Sequence, residues 1–95
     1  MKKRFILVID NPTKEQQNAV TNFFKNRRLG YWHWFSDVWL LTDTTNTWTV
    51  SSIRDTVREL IPESRLLVFA IGSGTAWAGS GKTEMFKWLH NTWKR

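Results

Sequence analysis

Cysteine is absent from this 95-residue chain, and that absence excludes several kinds of chemistry. A disulfide framework, a thiolate zinc site and a cysteine nucleophile all require the missing thiol. The lack of cysteine also fits a reducing compartment, and we therefore expect a cytoplasmic protein.

Long hydrophobic runs are missing as well. The basic N-terminal residues are followed by an apolar run at residues 5–9 that ends at Asp10. This run is too short for the hydrophobic region of a signal peptide. No stretch of the sequence approaches the length needed to cross a bilayer, so we expect no membrane partner.

Acidic residues are few relative to basic ones. The chain has 14 Lys and Arg against 8 Asp and Glu, which gives a net charge of +6. This balance favours anionic partners such as nucleic acid or nucleotides, although a basic surface also serves solubility. Tryptophan, in contrast, occurs seven times. So many indoles are hard to bury in one small domain, and some are expected to stack on a ligand or to meet a partner.

Four segments are typical of strands and two of helices. Apolar, β-branched runs predict strands at residues 4–10, 31–35, 38–41 and 65–71. Amphipathic patterns predict a helix after Thr13 and another at residues 50–60. This order predicts an α+β fold, a ferredoxin-like βαββαβ sandwich. We expect a single domain over residues 1–95, with a ferredoxin-like core at 1–71 and a Gly-rich loop and short C-terminal helix at 72–95.

The ends of the first helix carry recognisable signals. Thr13 and Gln16 have the spacing of a capping box, with Thr13 as the N-cap. Gly30 is expected to stop the helix. Both helices would cover one face of the sheet, and the other face would stay open with the aromatic residues of the hairpin at 31–41. Because a monomer would expose this apolar face, we expect a homodimer.

Short motifs in the strands resemble a known superfamily. They are residues 6–10 (ILVID), 39–41 (WLL) and 65–68 (RLLV). With them the chain resembles the small dimeric CRISPR-associated adaptation protein and the virulence-associated protein D ribonucleases. The Trp32-His33-Trp34 strand and the Trp-rich C-terminal tail make it most similar to short bacterial and phage proteins called the SinR family. The resemblance covers about residues 4–71, and it implies a ferredoxin-like fold.

The resemblance also implies a role for Asp10. In the adaptation family an acidic residue ends the first strand, and the pair from two subunits can hold a divalent metal that positions water against a phosphodiester. One alternative is therefore an Mg²⁺-dependent nuclease with Asp10 as metal-binding and catalytic residue. The other is that Asp10 forms an Asx turn with Asn11 and Pro12.

His33 is a second candidate for catalysis. On an alternating strand it points away from Trp32 and Trp34, and a general acid or base role is conceivable. A single histidine on a strand is more often structural or interfacial. His33 and His90 do not form a metal motif, and no serine has the partners of a hydrolase triad.

Residues 76–83 (AWAGSGKT) match a loose phosphate-loop pattern between a strand and a helix. Glycine lets backbone N–H groups turn inward, the helix N-terminus adds positive potential and Lys82 adds a charge. We do not expect nucleotide hydrolysis, because the predicted strand ends several residues earlier and no strand follows to supply a metal-binding acid. The loop is expected either to grip a phosphate or to be a flexible connector.

These observations predict a non-catalytic homodimer that binds a phosphate-bearing ligand without a cofactor. The ligand would be a nucleotide signal or a short single-stranded nucleic acid, and a sponge for a cyclic nucleotide would fit a role in phage defence. The alternatives are the Asp10 nuclease and a protein-interaction module anchored by tryptophan. The expected ligand-binding residues are Trp32, Trp34, Arg65, Trp77, Gly79, Ser80, Gly81, Lys82 and Thr83.

Overall fold

The computed structural model describes residues 2–72 and 76–93, so that part of the predicted Gly-rich loop, residues 73–75, lies outside the described residues. The predicted class is confirmed, since the chain forms an α+β fold with one four-stranded sheet. A π-helical turn (Leu89–Trp93) follows the last of three helices. The other elements are, in order, β1 (Lys3–Ile9), α1 (Lys14–Asn26), β2 (Gly30–Phe35), β3 (Val38–Asp43), α2 (Val50–Leu60), β4 (Leu66–Ile71) and α3 (Thr83–Trp88).

The four strands form an antiparallel sheet in the order β2-β3-β1-β4. The central strand β1 pairs with β3 on one side and with β4 on the other, so that Leu7 lies opposite both Trp39 and Val68. The predicted hairpin is confirmed as the pair β2-β3. Within the described part of the chain, β2 and β4 are the two edges of the sheet.

Helices α1 and α2 cover one face of the sheet, which we call the helix face. Alternate residues of β1 point to this face because successive side chains of a strand project to opposite sides. They meet the apolar stripes of both helices and two residues of β3. The buried residues of this main core are Phe5, Leu7, Ile9, Val20, Phe24, Leu29, Trp39, Leu41, Ile53, Val57 and Ile61.

The prediction of an open second face is wrong in part. Helix α3 and the π-helical turn lie on this face and form a second hydrophobic cluster with it. The sequence predicts two helices on the helix face and none on the second face. In the structure the C-terminal segment covers part of the second face and buries Trp32 of β2. The buried members of the cluster are Trp32, Met85, Leu89 and Trp93. Outside the cluster large apolar side chains remain exposed on this face, namely Phe35, Leu67 and Phe69.

Both long helices begin with a capping box. In α1 the Thr13 hydroxyl accepts from the Gln16 N–H and the Gln16 side chain accepts from the Thr13 N–H, which confirms the prediction. In α2 the same exchange joins Thr49 and Ser52, a pair that the sequence interpretation did not include. Each box satisfies two N–H groups that a helix start otherwise leaves without partners.

The predicted stop of α1 at Gly30 is wrong. The helix ends at Asn26, and Arg28 then adopts a left-handed conformation with a φ of 63°. The backbone N–H of Arg28 donates to the Lys25 carbonyl at 3.2 Å, which closes the last turn. Gly30 lies beyond this turn and is the first residue of β2.

Candidate functional site

A cleft opens on the second face of the sheet, beneath the segment that leads into α3. It has a volume of about 230 Å³, and its lining is mostly apolar. Ile6 and Leu40 contribute from the sheet, and residues 76–80 form the opposite wall. Five aromatic side chains also line the cleft, those of Trp32, Phe35, Trp77, Phe86 and Trp93.

Four of these rings form two pairs. The rings of Trp32 and Phe35 meet edge to face, with centroids 5.0 Å apart and planes at 88°. Trp77 stacks on Phe86 with centroids 5.7 Å apart and planes at 29°. Trp77 also lies 5.1 Å from the ring of His90. Aromatic walls of this kind offer both faces and edges to a planar ring that enters between them.

Trp32 is a structural part of the cleft. Its side chain is buried, and its indole N–H donates to the Met85 carbonyl at 2.5 Å. The hydrogen bond joins β2 to α3, and it leaves the indole nitrogen with no further proton to offer a ligand. Trp32 therefore forms part of the wall of the predicted ligand site, but it does not donate a hydrogen bond to the ligand.

Phe35 lines the cleft although the sequence interpretation did not include it. The pairing of β2 with β3 shifts register between Trp32, which lies opposite Leu40, and Phe35, which lies opposite Val38. A regular strand would turn residues 32 and 35 to opposite faces, whereas this irregularity lets the two rings touch. Phe35 is 52% exposed, so its ring is accessible to a ligand.

Two predicted ligand residues lie elsewhere. Trp34 is 50% exposed and is not part of the cleft lining. Arg65 precedes β4 and pairs with Asp10. The cleft thus brings together Trp32, Trp77, Gly79 and Ser80 of the predicted set, while Trp34 and Arg65 are separate from it.

The loop that was expected to grip a phosphate forms one rim of the cleft. Gly79 and Ser80 contribute to the lining, and Gly81, Lys82 and Thr83 follow directly. Lys82 is exposed and occupies the N-cap position of α3, where no side chain caps the helix. Lys82 thus follows the last lining residue of the loop, Ser80, by two positions.

Packing within the chain accounts for two of the loop glycines. A Cβ atom at position 79 would lie 2.7 Å from the ring of Phe86, and one at position 81 would lie 2.8 Å from Met85 Sδ. Gly81 also has a φ of +153°, which L side chains rarely adopt. The ring of Phe86 thus disfavours a side chain at position 79, and the backbone conformation disfavours one at position 81, whether or not an anion binds there.

Trp77 lies in the segment that leads into α3. Its side chain is half-buried because it packs against Phe86 and His90. One part of the indole therefore supports the wall of the cleft, and another part faces the cleft itself.

Asp10 and Arg65 form an ion pair at one end of the sheet. Arg65 donates to Asp10 Oδ2 from Nε at 3.1 Å and also from Nη2. Both side chains are largely exposed. Among residues 2–72 and 76–93, no group of three His, Asp or Glu side chains is placed to hold a metal ion.

His33 is held on the helix face, away from the cleft. Its ring stacks on Trp39 with centroids 3.9 Å apart and planes at 5°. Nδ1 donates to the Val38 carbonyl at 2.9 Å, and Nε2 lies 3.0 Å from the side-chain amide of Gln17. Burial lowers the pKa of His33, the bond to Val38 raises it and the charge of Lys14 lowers it, with a net pKa below the ordinary 6.5.

This lowered pKa predicts a stability change in mild acid. Between the folded-state pKa and about 6.5 the unfolded chain binds the His33 proton more readily than the native one, so the free energy of unfolding should fall as the pH drops below about 6.5. Urea unfolding at a series of pH values should show this decline. The decline should be smaller in His33→Asn. If the free energy of unfolding falls equally with pH in both proteins, His33 is not its cause.

Asp43 is a buried carboxylate that the sequence interpretation did not single out. It ends β3, and only 2% of its surface is exposed. Oδ1 accepts from the N–H and hydroxyl of Thr45 at 2.8 and 2.6 Å, and Oδ2 accepts from the N–H groups of Thr47 and Trp48 at 3.0 and 2.9 Å. Burial alone would raise the pKa of Asp43, but these hydrogen bonds outweigh it and the pKa lies below the ordinary 3.8. Asp43 therefore organises the connection to α2.

Comparison with known proteins adds no relative. The chain matches no protein-family model, no curated protein and no solved structure. Within the described residues, no helix is long and apolar enough to span a bilayer.

Proposed function

We propose that the protein binds the planar base of a nucleotide, or of a short single-stranded nucleic acid, in the aromatic cleft. The observation that carries this proposal is the meeting of five aromatic side chains around a single opening. Stacking on aromatic side chains is the main way in which proteins hold unpaired bases, because every base has a π-face. The rings of Phe35 and Trp77 are the ones that a base would touch.

The size of the cleft limits the ligand. At about 230 Å³ it is smaller than the roughly 300–1,000 Å³ of pockets that enclose a drug-sized molecule. One base or a comparable ring would fill it, and the sugar and phosphate would extend past the rim. This rim is the loop that carries Lys82.

The charge of the chain supports a phosphate-bearing ligand. A net charge of +6 attracts polyanions, and Lys82 is a cation that closely follows the cleft wall at residues 76–80 in sequence. Together the loop and Lys82 would hold the phosphate while the cleft holds the base. No step of this function requires a catalytic residue or a cofactor.

The fold that we propose together with this function is the ferredoxin-like sandwich. The element order β1-α1-β2-β3-α2-β4 and the antiparallel strand order β2-β3-β1-β4 support it. In this proposal the protein is a cytoplasmic homodimer that sequesters a nucleotide signal. Such a sponge would act in phage defence. The C-terminal segment on the second face is then an addition to the sandwich that completes the binding cleft.

Neighbouring phenylalanine and tryptophan residues on β2 allow a sharp test. Phe35→Ala removes a ring from the cleft, and Trp34→Ala removes an equally exposed ring outside it. A lost base stack costs about 1–3 kcal/mol, so Phe35→Ala should weaken binding about tenfold, whereas Trp34→Ala should leave it unchanged. Isothermal titration against mononucleotides, cyclic dinucleotides and single-stranded oligonucleotides measures both affinities.

The same titrations separate the alternatives. Lys82→Ala should reduce both the affinity and its dependence on salt, because a phosphate contact releases counterions. An equal loss of ligand affinity in Phe35→Ala and Trp34→Ala would show that the binding site lies outside the cleft. Binding of a protein partner with no salt dependence would favour the interaction module. Cleavage that needs Mg²⁺ and is lost in Asp10→Asn would establish the nuclease instead.

A further inference from the structure

Strand β4 is an unusually unprotected edge of the sheet. Its sequence, Leu66–Ile71, consists of apolar residues alone, without a charge or a proline. Proteins usually interrupt an edge strand with lysine, proline or a bulge, because a free edge is a template for another strand. The opposite edge, β2, has such an irregularity between Trp32 and Phe35, whereas the register of β4 on β1 is unbroken.

The register shows which backbone groups of β4 face outward. The Asp10 N–H donates to the Arg65 carbonyl at 2.9 Å, so this pair is a hydrogen-bonded one. Such pairs alternate along an antiparallel ladder, and residues 67, 69 and 71 therefore also bond to β1. The N–H and C=O groups of Leu66, Val68 and Ala70 point to the free side of the sheet among the described residues.

The side chains of β4 add an apolar surface to this edge. Leu67 and Phe69 are 61% and 50% exposed. They alternate with Val68, which packs against the main core, so they project from the second face of the sheet. The positive charge at the start of the strand is balanced within the chain, because Arg65 pairs with Asp10.

We propose that β4 pairs antiparallel with β4 of a second copy, about a two-fold axis at Val68. In this register Leu66 and Ala70 of one copy exchange hydrogen bonds with Ala70 and Leu66 of the other, so each outward group finds a partner. Leu67 of each copy then lies beside Phe69 of the other, as a cross-strand apolar pair. A second copy fits because the strand is complementary to itself and brings no charge into the contact.

The symmetry connects this interface to the cleft. A two-fold axis perpendicular to a continuous sheet keeps the same face of both copies on the same side. The aromatic clefts of the two copies would thus open side by side on one surface of an eight-stranded sheet. This inference rests on the homodimer of the proposed function, but it does not depend on what the cleft binds.

The outward N–H of Ala70 provides the test. Ala70→Pro removes this donor and places the proline ring against the second copy, while the hydrogen bonds of β4 to β1 come from other residues. Ala70→Ser keeps the donor and is the matched control. Sedimentation equilibrium over low to high micromolar concentrations should show wild type and Ala70→Ser approaching twice the monomer mass of 11.3 kDa. Ala70→Pro should weaken the dimer by about tenfold or more.

A second variant guards against misfolding of the first. Leu67→Lys changes a side chain that is 61% exposed, and it should also dissociate the dimer, whereas Leu60→Lys on the exposed side of α2 should not. A wild type that remains monomeric at high micromolar concentration overturns the proposal. So does a dimer that survives both β4 changes, or a β4 that captures only a peptide of another protein. The dimer proposal and the ligand proposal can fail independently. Phe35→Ala changes the cleft and not β4, so this variant should still form the dimer.

Discussion

Replacing Trp32 with alanine should release the C-terminal helical segment from the sheet and lower the free energy of unfolding by about 3–5 kcal/mol. The side chain is only 4% exposed, and it lies in the second cluster with Met85, Leu89 and Trp93. Alanine would remove the packing of an entire indole and leave the Met85 carbonyl without the donor that it now has at 2.5 Å. The cleft would lose a wall at the same time.

Trp34→Ala is the matched control, because it removes the same side chain two residues away on the same strand. Trp34 is 50% exposed, and its loss should change the free energy of unfolding by about 0.5 kcal/mol or less. Urea unfolding measures both variants. Amide hydrogen exchange should also become faster at residues 83–93 in Trp32→Ala alone. Equal destabilisation of the two variants would contradict this account of the second cluster.

Trp32→Phe divides the effect into packing and hydrogen bonding. The smaller ring still fills much of the site, but it has no N–H for the Met85 carbonyl. An unpaired buried acceptor costs about 1–3 kcal/mol. We therefore expect Trp32→Phe to lie between wild type and Trp32→Ala in stability.

Local patterns were enough to predict the order of elements. The apolar runs of β1 and β4 cover consecutive residues, and the capping box of Thr13 and Gln16 depends on contacts within a single turn. Helix α2 shows its buried stripe in the spacing of Ile53 and Val57. Features of this kind are set by neighbours in sequence, so a sequence displays them directly.

The docking of the C-terminal segment could not be predicted in the same way. Helix α3 has six residues, which is too short for its amphipathic pattern to identify a partner. Its position is determined by Trp32, which lies 53 residues before Met85 in the chain. A contact over such a distance depends on the tertiary fold. The second face was therefore expected to be open.

The candidate site was predicted in part for the same reason. Trp77, Gly79 and Ser80 are close in sequence, and a single motif included them all. Phe35 was missed because strict alternation along β2 would place its side chain and that of Trp32 on different faces of the sheet. No local sequence feature indicates the register shift that brings the two rings together. Arg65 was included for its charge, but its partner is Asp10 across the strand pair.

The Thr-rich connection after β3 shows how a local signal can be overlooked. Asp43 ends β3 and is followed by polar, Thr-rich residues. An aspartate that accepts from N–H groups two to five residues ahead is a known way to order such a turn. Here the same carboxylate reaches Thr45, Thr47 and Trp48, so this loop has a fixed shape.

Asp43→Asn should therefore destabilise the protein by about 2–4 kcal/mol at neutral pH. The amide keeps the shape of the side chain, but one of its two acceptor positions becomes an NH₂ group. That group would face either the N–H and hydroxyl of Thr45 or the N–H groups of Thr47 and Trp48, and donors would then oppose donors. Asp55→Asn is the control, because Asp55 is exposed on α2 and pairs with the adjacent Arg54, so its loss should change stability little.

The pH dependence of this difference identifies its cause. The pKa of Asp43 is lowered in the native state from an ordinary value of 3.8, so its charge contributes stability that is fully present above that pH. The contribution is lost as the pH falls through the lower, native-state value, because both states then bind the proton. Urea unfolding from pH 7 down to about 2 should show a wide gap between wild type and Asp43→Asn that narrows below about pH 4. A gap that stays constant over this range would mean that the carboxylate charge contributes nothing and that the loop is held by shape alone.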